Sequence, residues 1–395
     1  MSPHVRELVD LIIRWVHFIA GIMWAGNSML FNWLDRNLER EPGAPEGHEG
    51  RIWMVHSGGF YDVVKRQLAP SEMPERLHWF MWQNLTTWVS GICLLIVVYY
   101  FGGASLLTDP NISSVSTAGA IGVGVGSIVV SWFVYDAIYR SPLAKKPLLA
   151  SIISGAGLVG VAYGLTHVLS GRAAYIHVGV ILGTLMTGNV WFFIIPSQRQ
   201  LVALTRAGLP QNMALNKRAK ERSIHNNYMT FPLLFIMISS HFPSTYGQKL
   251  NWLVLVVLGV TSAAIRHWMN IRFWSPRWFP AAFVTFLVGV TAVYVLTAPK
   301  SSNASKGSGE VSFDEVQAIV NDRCVSCHSA HPSDEVWTMA PLGIMFDSPA
   351  QIAAAAERMR ERAYVLKTMP LGNKTHMSEE ERSKLAAWAE HGAKQ

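Results

Sequence analysis

Cys324-Val325-Ser326-Cys327-His328 is the stretch of the chain most committed to one kind of chemistry. Two thiols three positions apart, with a histidine directly after the second, form the spacing by which a haem is fixed through two thioethers and ligated by that histidine. The product of that chemistry is a one-electron carrier, haem c. Its sixth iron ligand is expected from a methionine sulfur, and Met369 is the candidate. Met369-Pro370-Leu371-Gly372-Asn373 is a rigid, turn-rich loop just ahead of the last helix. Met359 falls inside a helix, while Met339, Met345 and Met377 read as packing or loop residues.

Histidines and arginines inside long apolar runs form the second chemically able set, because a polar group in such a run is costly and faces the bundle interior with a partner. His17 and His177 each lie within a run and precede a Gly-rich face, which makes them a candidate bis-histidine pair for a haem b. An electron that starts at one side of a core about 30 Å thick needs such a relay to reach a carrier on the other. At the opposite ends of the runs stand Arg76, His78, Gln83 and Asn84, then Arg222 and His225, then Arg266 and His267. His78 is the first candidate for a general base, with Arg76, Arg266 and His267 as further catalytic candidates. The positive-inside rule equally explains Arg76 and Arg222 as topology anchors without catalytic function, whereas Arg266 lies deeper in its run.

These residues need elements to hold them. Three capping boxes, Ser312 with Glu315, Ser348 with Gln351 and Ser378 with Glu381, open three helices around the haem motif, the second of them Ala350 to Tyr364. Upstream, eight apolar runs approach the roughly 20 residues needed to span a bilayer. They lie near Leu8 to Trp33, Leu77 to Phe101, Thr117 to Tyr139, Pro147 to Leu169, Ala173 to Ile195, Asn227 to Phe242, Leu250 to Met269 and Phe279 to Thr297. The sixth is the shortest and contains Pro232. Between the first two runs, Ile52 to Lys65 alternates around Ser57-Gly58-Gly59, the pattern of a hairpin or of an amphipathic surface loop.

The expected fold class is therefore all-α: a polytopic eight-helix transmembrane bundle over 1–298, a Ser- and Gly-rich tether over 299–310, and a small class I cytochrome c domain over 311–395. Basic residues concentrate in alternate loops, among them Arg36, Arg40, Arg140, Lys145, Lys217 and Arg218. That asymmetry puts the N-terminus and the cytochrome domain outside, in the periplasm of a bacterial inner membrane. The formal net charge of +7 then sits in membrane-anchoring loops and does not point to nucleic acid. Cys93 is the one cysteine left over, so a disulfide framework is excluded, and the long first run without a basic start does not read as a cleavable signal peptide.

With these residues in place the chain resembles the bacterial membrane-bound urate oxidases that carry a fused C-terminal cytochrome c. The resemblance rests on Arg14-Trp15-Val16-His17 through Trp24-Ala25-Gly26-Asn27, on Gly58-Gly59-Phe60-Tyr61, on Leu77-His78-Trp79 and on the order of the domains. It implies oxidation of urate to 5-hydroxyisourate with water as the oxygen source. Electrons would leave through haem c to a downstream cytochrome c or terminal oxidase, and not directly to dioxygen. Urate is a planar monoanion, which calls for a bidentate arginine, an amide, an aromatic face and a proton acceptor. Two other readings share the same residues: a quinol-oxidising cytochrome bc-type protein, and a membrane-anchored electron carrier without catalysis.

Overall fold

The computed structural model describes residues 3–40, 42–45, 47–101, 104–298, 311–337 and 339–394. The tether expected over 299–310 lies outside them. Eight long helices make the first part of the chain: α1 Pro3–Asn37, α2 Trp82–Tyr100, α3 Thr117–Arg140, α4 Pro147–Thr166, α5 Gly171–Arg206, α6 Met213–Ser239, α7 Asn251–Ile271 and α8 Trp278–Thr297. Their starts follow from local chemistry. The side chains of Ser116, Ser170 and Asn212 each accept a backbone N–H from the first turn of α3, α5 and α6, and Pro147 opens α4.

Among the described residues, seven of these helices are long and apolar enough to cross a membrane. The exception is α6. Its apolar part is the half that the sequence marks, but the helix begins fourteen residues before Asn227, because the basic run Lys217 to Arg222 is helical too. Two other expected boundaries also move. Leu77 to Met81 is irregular, so α2 begins at Trp82, and Phe80 in that segment sits edge-on against Phe31 of α1 with ring centroids 5.0 Å apart. The fifth run continues without a break to Arg206.

The bundle is organised around α5. About two thirds of its apolar window is buried, against 28% or less for the other six membrane-length helices. Its neighbours come close because the contact positions lack side chains: a Cβ on Gly188 would collide with the Trp132 ring, and one on Gly179 with Ile236. Outward faces such as Val129, Val130 and Phe133 on α3 and Phe283, Val284 and Leu287 on α8 are exposed and apolar, as a lipid-facing surface must be.

The alternating pattern around Ser57 is a hairpin: β1 His48–His56 pairs antiparallel with β2 Gly59–Arg66. Ser57 and Gly58 both have positive φ, 52° and 75°, the two-residue turn whose twist suits a hairpin. It reaches α1 through Lys65, which donates to Asp35 at 2.9 Å.

The C-terminal part has a core of its own around Val316, Val320, Ile352, Leu385 and Trp388. All three capping boxes form, opening α9 Phe313–Arg323, α10 Pro349–Ala354 and α11 Glu379–Glu390. The second of these helices is shorter than Ala350 to Tyr364: it stops at Ala355, and the chain continues through a new turn, Ala356–Met359, and a π-helical segment, Arg360–Val365.

This C-terminal unit sits on one end of the bundle. Arg6 near the start of α1 donates to the Val336 carbonyl at 2.6 Å, and the loops after α2, α4 and α6 meet the same unit. That arrangement requires the N-terminus, these three loops and the C-terminal unit to share one side of the membrane. Reporter fusions in the loop after Asp109 and after Ala298 are expected to give the same periplasmic signal. Fusions between Pro142 and Lys146 are expected to give a cytoplasmic one. A cytoplasmic signal after Ala298 would break the even count of crossings.

Candidate functional site

A cavity of about 1020 Å³ lies between the C-terminal unit and the bundle end beneath it. Cys324, Cys327, His328 and Met369 all line it, so the fold brings together the four residues that the spacing singles out. Cys324 caps α9, and Cys327 and His328 follow in the turn. The His328 ring donates from Nδ1 to the Ile344 carbonyl at 2.9 Å, which fixes the tautomer and leaves Nε2 as a lone-pair donor. Phe346 packs on the same imidazole, ring centroids 5.2 Å apart.

Met369 is held by its backbone. Its carbonyl accepts from Arg382 Nη1 at 2.6 Å, and its N–H donates to the Arg362 carbonyl at 3.0 Å. Arg382 is fully buried, and it also donates to the Ala363 carbonyl and to Asn373 Oδ1. One guanidinium thus ties both ends of the Met369 loop to α11. Burial pushes the Cys324 thiol up to about 12, with the neighbouring Cys327 adding to the shift, so this sulfur is held neutral.

The cavity residues fit a covalently attached haem. Two sulfurs, one imidazole lone pair and one thioether converge on an apolar chamber, walled also by Ile344, Phe346 and Leu385. Arg172 of α5 reaches the same chamber from below, and its Nε is buried with no hydrogen-bond partner among the described residues. A cation there suits the carboxylates such a group carries. Among the described residues no cluster of three or more His, Cys, Asp or Glu side chains forms a separate metal site.

Docking of the two parts depends on two glycines. A Cβ on Gly372, in the Met369 loop, would stand 2.6 Å from the Ser105 carbonyl oxygen. A Cβ on Gly247, in the loop before α7, would stand 2.7 Å from Thr368 Cγ2. The chain after Met369 therefore lies directly on the bundle.

The other candidates are spread through the bundle. His17 Nδ1 lies 2.9 Å from the Thr87 carbonyl oxygen and 3.1 Å from Ser90 Oγ. His177 is fully buried, its Nδ1 2.8 Å from the Ala173 carbonyl oxygen and its Nε2 3.0 Å from the Tyr100 hydroxyl. Both rings face α2, one at Ser90 and the other at Tyr100, levels about 15 Å apart along a helix. The structure does not bring them together around one ring. His177 Nε2 also closes on Gly124, where a Cβ would be 2.4 Å away, so a shared haem b does not fit this packing.

Arg76 and His78 stand exposed on the irregular segment before α2, and His56 and Tyr61 are exposed on the hairpin. Arg266 and His267 are adjacent in α7 and point apart. Arg266 is buried and donates from Nε to Asn227 Oδ1 at 3.1 Å, whereas His267 is exposed and meets the Tyr228 hydroxyl at 2.8 Å.

A buried polar network between α3, α5 and α6 was not visible in the sequence. Arg222 of α6, 2% exposed, donates to Asp136 of α3 at 2.9 Å and to Asn189 of α5 at 3.2 Å. Asn189 donates in turn to the Tyr135 hydroxyl and to Asn226 Oδ1, both at 2.9 Å, and Tyr135 meets His225 at 2.7 Å. The guanidinium is stacked among Tyr135, Tyr139 and Phe193. An ion pair of this kind is readable only once α3, α5 and α6 are known to adjoin.

Residues 3–298 match the family described as urate oxidase N-terminal, and the chain belongs to that family. No curated relative and no solved structure matches it.

Proposed function

We propose that this chain oxidises urate within its membrane domain and hands the electrons, one at a time, to a haem c held by its own C-terminal unit. The observation that carries this reading is the fusion itself. A urate oxidase N-terminal domain is continuous with a cavity in which Cys324, Cys327, His328 and Met369 converge against the bundle end. The net reaction adds water: urate and H2O give 5-hydroxyisourate, two electrons and two protons.

Cys324 and Cys327 would hold such a group through thioether bonds, with His328 Nε2 and the Met369 sulfur as the side chains that would ligate its iron. When bound, such a group accepts single electrons, so direct transfer of a pair to dioxygen is not needed. The chain's own residues set the conditions for that acceptance. Ile344 orients the imidazole, Arg382 holds the methionine loop, and Arg172 places positive charge beside the chamber. With the C-terminal unit in the periplasm of a bacterial inner membrane, the electrons pass on to a soluble cytochrome or a terminal oxidase.

Anaerobic addition of urate to the purified protein is expected to reduce the haem c band, to yield 5-hydroxyisourate and to form no stoichiometric hydrogen peroxide. Fast reduction by a quinol analogue, with none by urate, would replace urate oxidation by quinol oxidation.

A further inference from the structure

At the end of the bundle remote from the haem cavity, α1, α6 and α7 enclose a cation that has no counter-ion. Arg266 is 6% exposed, and one of its five N–H donors is engaged, from Nε to Asn227 Oδ1. The side chains whose charge acts on it most, Arg272 and Arg36, are themselves cationic. No described carboxylate pairs with any of the three. An uncompensated guanidinium at this depth is costly, and the cost falls sharply once an anion enters.

The amide beside it is incomplete in the opposite sense. Arginine only donates, so Asn227 must turn its oxygen towards Arg266. That same oxygen accepts Asn270 Nδ2 at 2.7 Å, which orients Asn270 in turn. Asn270 is 5% exposed, and its Oδ1 is left buried with no donor among the described residues. Its backbone carbonyl accepts Arg36 Nη1 at 2.7 Å, which brings a second guanidinium to the same place. Aromatic faces flank both cations: Phe231 lies 5.3 Å from the Arg266 guanidinium and Trp274 4.9 Å from that of Arg36.

One place therefore holds Arg266 N–H groups with no protein acceptor among the described residues beside a buried Asn270 oxygen with no donor. A planar anion with an N–H beside a carbonyl or deprotonated nitrogen supplies both, and that is the chemistry of a cyclic ureide or imide such as urate. We propose that Arg266 and Asn270, with Arg36 adding charge, bind the urate anion, and that Asn227 is a positioning residue that orients both. The inference rests on urate being the substrate. It moves recognition away from Arg76, His78 and His267, none of which contacts this group.

The test uses the full-length protein with its haem c band intact. Arg266→Gln is expected to raise the urate concentration for half-maximal anaerobic haem reduction by about 10- to 100-fold, the loss of a charge-assisted hydrogen bond, and Arg266→Lys to restore part of it. Asn270→Asp supplies the missing anion from the protein. It is expected to abolish urate-driven reduction while raising the unfolding temperature, which loss of a merely structural contact would lower. On the wild type, urate is expected to raise the unfolding temperature and hypoxanthine, planar but uncharged at neutral pH, to leave it unchanged. Unaltered half-saturation in Arg266→Gln, or equal stabilisation by both purines, overturns the site. Failure of urate to reduce the wild-type haem overturns the substrate instead.

Discussion

Asp136→Asn is expected to destabilise the membrane domain by roughly 3–5 kcal/mol, the cost of leaving a buried charge without its partner. Arg222 is buried to 2% exposure and depends on this carboxylate for its one ion pair among the described residues. Arg140, the second cation on Asp136, is largely exposed and loses little. Replacing Arg222 by Met and Asp136 by Leu together is expected to be far milder, because no charge is then stranded. Thermal unfolding in detergent, followed by tryptophan fluorescence, measures both. A loss for Asp136→Asn no larger than for an exposed salt bridge would mean that Asn189 alone satisfies the guanidinium.

Met369→Ala is expected to keep covalent haem through Cys324 and Cys327 while abolishing the sulfur-to-iron absorption band near the red end of the spectrum. Urate-driven reduction should fall with it, because methionine sulfur is the ligand that raises the potential of the acceptor. The geometry favours this methionine because both its backbone groups are fixed, the carbonyl by Arg382 and the N–H by Arg362. Retention of the band would transfer the ligand role to Met359 or Met377, which line the same chamber.

Features that depend on neighbours in sequence were legible before the structure. The capping boxes at Ser312, Ser348 and Ser378 all form, and so does the turn at Ser57-Gly58, because each is decided within a few residues. The helix content followed from apolar length, and errors gathered where length and polarity disagree, as in the charged first half of α6. The functional clusters were harder to see. Arg222 and Asp136 are 86 positions apart, and each alone reads as an interfacial anchor. Arg266 was visible as an arginine deep in a span, but its meaning depends on what is missing around it. Asn227 and Asn270 carried no signal, since an amide in a helix shows its unmet oxygen only through its partner's orientation. Similar depth suggested His17 with His177, but depth does not say which helix lies between two rings.

α7 connects the two ends of the proposed reaction. Asn251 at its start borders the haem cavity, and Arg266 lies fifteen residues further on, about 22 Å along the axis. An electron passing from one to the other crosses most of an insulating layer about 30 Å thick, which requires an intermediate carrier other than a haem shared by His17 and His177, and the voltage across the membrane works on it. With the cavity on the outer, positive side, each electron would move towards higher potential and release about 2.3 kcal/mol per 100 mV across the full layer. If substrate and acceptor stand at opposite ends of this one helix, as proposed, purine breakdown would discharge the cell's electrical gradient, with the voltage pulling the oxidation forward.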